Sequence, residues 1–232
     1  HWVRPKERDV YLASSFGTGQ LINAALDRGC DKLIVGLGGS ATNDGGMGMM
    51  KALGAQFLDQ EGVQLTADVR ALLQLARIDL RHLDPRLDKT EIVVACDVDN
   101  PLCGENGASM VFGPQKGATE EDIAVLDQAL TRYGYILAAN TGRDIASEPG
   151  AGAAGGMGAA FIGLIDAVLK PGIDIVIEIV DLANSLVDAN LVITGEGRID
   201  NQTIHGKTPM GVAKVAKSCN LPVLCIAGSV ED

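Results

Sequence analysis

Aromatic residues make up only 3% of this chain of 232 residues: four phenylalanines, three tyrosines and one tryptophan. A core built on large rings is therefore excluded, and whatever is buried must be aliphatic and alanine-rich. Histidine is scarce too, with three in all. His82 and His205 stand apart and His1 is terminal, which leaves no cluster for a structural zinc site. The five cysteines, Cys30, Cys96, Cys103, Cys219 and Cys225, contain no C-x-x-C pair. Their odd, unspaced count reads as reduced, buried small hydrophobes. Positive charge is in deficit: 19 lysines and arginines against 30 acids give a net charge of -11. That argues against nucleic acid as a partner, although a locally positive cleft can still attract a small anion. No apolar run reaches the length of a membrane span and no signal peptide is visible, so the expectation is a soluble, cytoplasmic protein with no membrane partner.

Glycine, by contrast, is abundant, with 29 residues, and four segments stand out that are rich in glycine, in acids or in both. These are Gly38-Gly39-Ser40-Ala41-Thr42-Asn43-Asp44-Gly45-Gly46, Asp97-Val98-Asp99-Asn100-Pro101, Gly150-Ala151-Gly152-Ala153-Ala154-Gly155-Gly156 and Thr194-Gly195-Glu196-Gly197-Arg198-Ile199-Asp200. Three of the four follow short apolar runs: 33–37, 92–96 and 191–193. Bare backbone amides beside carboxylates at strand ends suit a phosphate and its magnesium ion.

Periodicity supplies the frame. Residues 20–28 read as a helix with Leu21, Ile22, Ala25 and Leu26 on one face, preceded by a turn at 16–19. Thr119 reads as an N-cap, with Glu120, Glu121 and Asp122 in the first turn of a helix reaching about Ala139. Residues 173–177 read as a partly exposed strand, and Thr208-Pro209 as a helix start. Alternating strands and helices predict an α/β fold with largely parallel sheets covered on both faces and ligands at the carboxyl ends of strands. Gly-Gly-Met-Gly occurs at 45–48 and again at 155–158, which suggests two similar loop-to-helix units facing one cleft.

Several motifs compete for these loops. Gly36, Gly38 and Ala41 partly imitate a dinucleotide fingerprint, but residues 42–46 interrupt the place where its helix should begin. Gly206-Lys207-Thr208 resembles the end of a P-loop, yet Asn201 stands where that motif needs glycine. Lys207 is still placed to meet a phosphate near a helix N-terminus. Glu196, Arg198 and Asp200 leave the strand at 191–193 within one expected turn, either as a cation-and-anion site or as a local ion pair. Lys116 sits in a glycine-bearing loop, as an anion ligand or as an ordinary solvated lysine. The methionines read as core filler.

The loops also resemble, in five ordered blocks, the signature segments of bacterial glycerate kinases: 36–46, 95–102, 112–118, 149–158 and 193–200 through 204–207. The resemblance implies ATP-dependent phosphorylation of D-glycerate to 2-phosphoglycerate. It also implies a two-domain α/β architecture, with a central domain at 1–189 and part of a Rossmann- or flavodoxin-like domain at 190–232. Members of that family begin some tens of residues earlier and continue past Ala227-Gly228, so the expectation is a piece of a longer kinase, with homo-oligomerisation open. In this reading ATP phosphates lie on Gly38, Gly39, Ser40, Thr42, Asn43, Gly45 and Gly46, with Lys207 beside them. Asp44, Glu196 and Asp200 are the candidates for Mg2+, Asp97 is the candidate base, and Asp200, Arg198 and Lys116 complete the catalytic set. A nicotinamide-dependent dehydrogenase and a non-catalytic small-acid-binding domain are the alternatives.

Overall fold

The computed structural model describes Arg4, residues 7–199 and residues 208–230. Two compact units divide at Leu169 and Lys170, ahead of the 189/190 boundary expected from the sequence. The reason lies in residues 173–177. They form a helix, α6 (Gly172–Val180), and not the strand their β-branched composition suggests. Ile173 and Ile177 recur at a four-residue interval and pack around Gly211 of a later helix, so helical period overrides strand propensity.

The first unit is built on a three-stranded sheet in the order β1-β4-β5: β1 (Lys32–Gly36), β4 (Glu91–Ala95) and β5 (Val168–Lys170). β1 and β4 are parallel, with Gly36 beside Ala95, so the loops that follow them leave the sheet side by side. A separate antiparallel pair joins β2 (Gln56–Leu58) to β3 (Arg77–Asp79). The surrounding helices are α1 (Phe16–Asp27), α2 (Met47–Ala52), α3 (Ala108–Phe112), α4 (Glu120–Thr141) and α5 (Ala153–Leu164). α1 starts at the residues expected to be a turn. α4 carries the predicted capping box: Thr119 accepts from the Asp122 amide, and Asp122 accepts from the Thr119 amide at 2.9 Å.

As the composition requires, the core is aliphatic. Met47, Met49, Met50, Leu126, Leu130 and Leu137 are buried, with Phe57, Tyr133 and Phe161 among them. All five cysteines are free, in line with the reduced state expected, but their burial departs from expectation: two are exposed and three are half-buried. Among the described residues no helix is long and apolar enough to cross a membrane.

The two Gly-Gly-Met-Gly segments meet backbone to backbone. The Gly45 amide donates to the Gly155 carbonyl at 2.9 Å. A Cβ on Gly46 would lie 2.6 Å from that of Ala160, and one on Gly155 would collide with the Thr42 carbonyl. Ala154, Gly155 and Gly156 are all left-handed within α5. For Ala154 that conformation costs about 1–2 kcal/mol, so the surrounding contacts must enforce it.

The second unit pairs β6 (Val192–Ile199) with β7 (Val223–Val230) in parallel, with Val192 beside Val223. α6, the short α7 (Leu182–Ser185) and α8 (Thr208–Ser218) accompany them, and α8 packs on β6. Residues 194–199, expected to form a turn, continue the strand. Gly195 keeps this possible, because a Cβ there would lie 2.7 Å from the Ile226 carbonyl oxygen of β7. Taken together the sheets are mixed parallel and antiparallel with flanking helices.

Gly155→Ala combines a left-handed backbone with a collision against the Thr42 carbonyl, and is expected to lower stability by about 3 kcal/mol or more. Gly39 has the same sign of φ but open space around it, so Gly39→Ala should cost only about 1 kcal/mol. Urea unfolding of both variants checks the contrast; equal losses would remove the close loop packing as its cause.

Candidate active site

Three of the four glycine- or acid-rich segments contribute to one cavity in the first unit. A cavity of about 190 Å³ opens at the carboxyl ends of β1 and β4. One wall is Leu37, Gly38, Gly39 and Ser40, and the next is Cys96, Asp97 and Val98. Phe112, Gln115 and Lys116 close another side, with Ala153 and Ala154 of α5 completing it. This is the strand-end position at which open α/β sheets hold ligands.

The amides of the first loop divide into two sets. Those of residues 45–49 are used internally. Gly45 donates to Gly155, Met47 to the Asp44 carbonyl, Gly46 and Gly48 to the Asp44 carboxylate, and Met49 to Ser15 Oγ. The amides of residues 38–42 donate to no protein acceptor among the described residues. Gly38, Gly39 and Ser40 of this set line the cavity, and backbone amides without a protein acceptor are groups that can receive an anion.

Lys116 reaches the same cavity from beneath. It ends a short turn, Pro114–Lys116, whose following Gly117 has a φ of 96°. Its side chain points inward and is only 3% exposed, where the sequence left ordinary solvent exposure as the alternative. Nζ donates to the Thr42 carbonyl at 2.7 Å, and two of the three ammonium hydrogens remain for a ligand. Burial pulls this ammonium down to about 8, and the charge of Asp44 opposes that fall.

Asp44, a metal candidate from the sequence, holds a different place. Its carboxylate is fully buried and accepts from Ser15 N at 2.8 Å, Ser15 Oγ at 2.8 Å, Gly46 N at 3.1 Å and Gly48 N at 3.2 Å. Both oxygens are engaged, so this acid is an internal clamp and not an open metal ligand. Asn43 is likewise buried and donates to Ser109 Oγ at 2.9 Å. Asn43 Oδ1 and Thr42 Oγ1 are enclosed and have no partner among the described residues; with Asn43 buried and the Gly45 and Gly46 amides donating to Gly155 and Asp44, the phosphate contacts expected of these three do not fit their surroundings. Gly38, Gly39 and Ser40 remain suited to that role.

Asp97 follows β4 directly and lines the cavity, but it is exposed and not held within the core. Beside it, the Cys96 thiol donates to the Val98 carbonyl at 3.1 Å, and burial pushes its pKa up. Glu196 and Arg198 lie on β6 in the second unit, two residues apart and so on one face of the strand. Glu196 Oε2 is enclosed and has no hydrogen-bond partner among the described residues. Asp200 and Lys207 lie outside the described residues.

Sequence reasoning missed Ser15. It is 2% exposed, and its hydroxyl donates to Asp44 while accepting from Met49. A serine immediately before an apolar helix was the available signal, obscured by starting that helix at residue 20.

A family model described as the glycerate kinase family matches residues 1–232. The chain belongs to the glycerate kinase family. It is 53% identical over its whole length to a glycerate kinase of Bacillus subtilis and 51% identical over 99% of its length to a glycerate 2-kinase of Escherichia coli K12. It spans 60% of the length of each of these curated relatives. A crystal structure from Salmonella typhimurium LT2, provisionally named glycerate kinase 2, superposes with a TM-score of 0.89 at 55% identity. That match covers 98% of this chain and 61% of the other.

The lowered Lys116 value has a signed consequence for this family member. Between pH 8 and the ordinary lysine value, the unfolded chain holds a proton that the native state has shed. The lysine's contribution to stability therefore rises with pH through that window and is least favourable below it. Lys116→Met should abolish this rise, as read from urea midpoints at about pH 8 and about pH 10; parallel pH dependence in variant and native protein would refute it.

Proposed function

We propose that the protein carrying this chain transfers a phosphoryl group from ATP to a hydroxyl of D-glycerate, giving 2-phosphoglycerate. The observation that carries this reading is the joint presence, in one small cavity, of free loop amides, a buried ammonium and an acid at the rim. Membership of the glycerate kinase family supports it, as do relatives of that name. The cavity is below the roughly 300–1,000 Å³ of sites that enclose drug-sized ligands, and so suits a three-carbon hydroxy acid or a single phosphate group.

Phosphoryl transfer asks for alignment and charge stabilisation more than covalent chemistry. In this scheme the amides of Gly38 and Gly39, the Ser40 hydroxyl and the Lys116 ammonium hold anionic oxygens. Asp97, within the same cavity lining, orients the acceptor hydroxyl and takes its proton. Arg198 and Lys207 are proposed to bind further charge on carboxylate or phosphate.

Among the described residues no group of three potential ligands is assembled for a metal. That agrees with a magnesium ion held by one or two carboxylates and substrate phosphates. Glu196, with its orphaned oxygen, fits such a role, and Asp200 is its proposed companion; bound there, the ion would neutralise charge on the phosphates. We further read residues 190–232 as part of a Rossmann- or flavodoxin-like domain of a two-domain kinase, in a cytoplasmic setting.

The dehydrogenase alternative is disfavoured by Asp44. Its carboxylate occupies the N-terminus of α2, where a dinucleotide pyrophosphate would sit. A non-catalytic acid-binding role predicts glycerate binding without ATP consumption. Incubating the intact protein with ATP and D-glycerate, followed by phosphorus NMR, separates these readings: a new 2-phosphoglycerate resonance is expected, and its absence rejects the kinase. In the same assay Asp97→Asn should reduce kcat by about 100-fold, the range for a positioned acid–base group. Near-native turnover would exclude Asp97 as the base.

A further inference from the structure

Asp44 takes no part in the reaction proposed above, yet it is fully buried. Four donors fix its carboxylate, and they come from the starts of two helices, α1 and α2. All four contacts are donors, the pattern that a carboxylate accepts, and they fix it at one point inside the unit. A buried cation lies close in the chain path. Lys116 Nζ rests on the carbonyl of Thr42, two residues before Asp44. The field of that acid favours the ammonium, against the pull of burial.

The other groups around Lys116 do not replace Asp44. Asp97 shares the cavity lining but is exposed to solvent. Cys96 lines it as a thiol whose pKa is raised by burial. Tyr133 faces the loop beside Gly45, and burial raises its hydroxyl further from ionisation. Arg8, bonded to the Gln115 carbonyl, has the same sign as Lys116.

We propose that Asp44, which does not line the cavity, is a positioning residue acting through Lys116: its fixed carboxylate keeps that ammonium charged and seated on the Thr42 carbonyl, ready to receive an anion. The proposal rests on reading the cavity as an anion site. A buried amine without a counter-charge sheds its proton, and the loop amides alone would then hold the ligand.

The test uses the intact protein and isothermal titration with two probes, inorganic phosphate and D-glycerate, across neutral and alkaline pH. Native affinity is expected to fall above about pH 8. In D44N the fall should begin about one pH unit lower, giving about 5-fold weaker binding near pH 8 and almost no change near pH 6. D44N/K116R should restore a flat profile, because a guanidinium keeps its proton. A D44N profile that superimposes on the native one overturns the proposal while leaving the anion site intact. A native protein that binds neither probe overturns both together.

Should D44N fail to fold, S15A carries the test: it removes a hydroxyl that fixes the Asp44 carboxylate and leaves Lys116 in place, so the alkaline fall in affinity should begin at a lower pH than in the native protein. An S15A profile that superimposes on the native one overturns the proposal.

Discussion

One buried carboxylate organises the first unit of this structure. Asp44 draws the start of α1, through Ser15, and the start of α2, through Gly46 and Gly48, onto a single point. Burying a charge is unfavourable unless donors surround it, and here four do. The consequence reaches past the clamp itself. The acid holds amides on its C-terminal side, while those of residues 38–42 meet no acceptor among the described residues, and Gly38, Gly39 and Ser40 of these line the cavity.

Packing gives that clamp its shape. The loops at 42–46 and 152–158 approach through their backbones, with Gly45, Gly46, Gly155 and Gly156 where a Cβ would strike a neighbour. Such contact leaves no room for side-chain adjustment, so the loops act as one rigid wall. Ala154 is held in a left-handed conformation within it, and its position in the cavity lining places that strain at the site. Rigidity of this kind suits a reaction governed by alignment, because small misplacements of the reacting groups have large effects on rate.

Electrostatics follows from the same geometry. The whole chain is acidic, with a net charge of -11, yet the cavity offers unpaired amides and one enclosed ammonium. An anion can therefore be drawn to a single location on a protein that repels it elsewhere. Because Lys116 is enclosed, its charge is little screened by salt, but its proton becomes sensitive to surroundings in a way that a surface lysine's would not.

Much of this was legible in the residues. The glycine-rich blocks marked the loops, the apolar runs at 33–37 and 92–96 marked their strands, and the Thr119 cap marked α4, since all three depend on neighbours in sequence. Local pattern misled where distant contacts decided: residues 173–177 took helical form against Gly211, and residues 194–199 stayed extended along β7. The family, too, was readable from five ordered motifs. Side-chain roles within them were not. Whether Asp44 meets a metal or a serine, and whether Lys116 points to water or inward to Thr42, depends on groups 29 and 74 positions away. Only folding brings those groups within hydrogen-bond distance, so the sequence determined the family and its loops, and the tertiary structure decided which of their side chains are enclosed and which line the cavity.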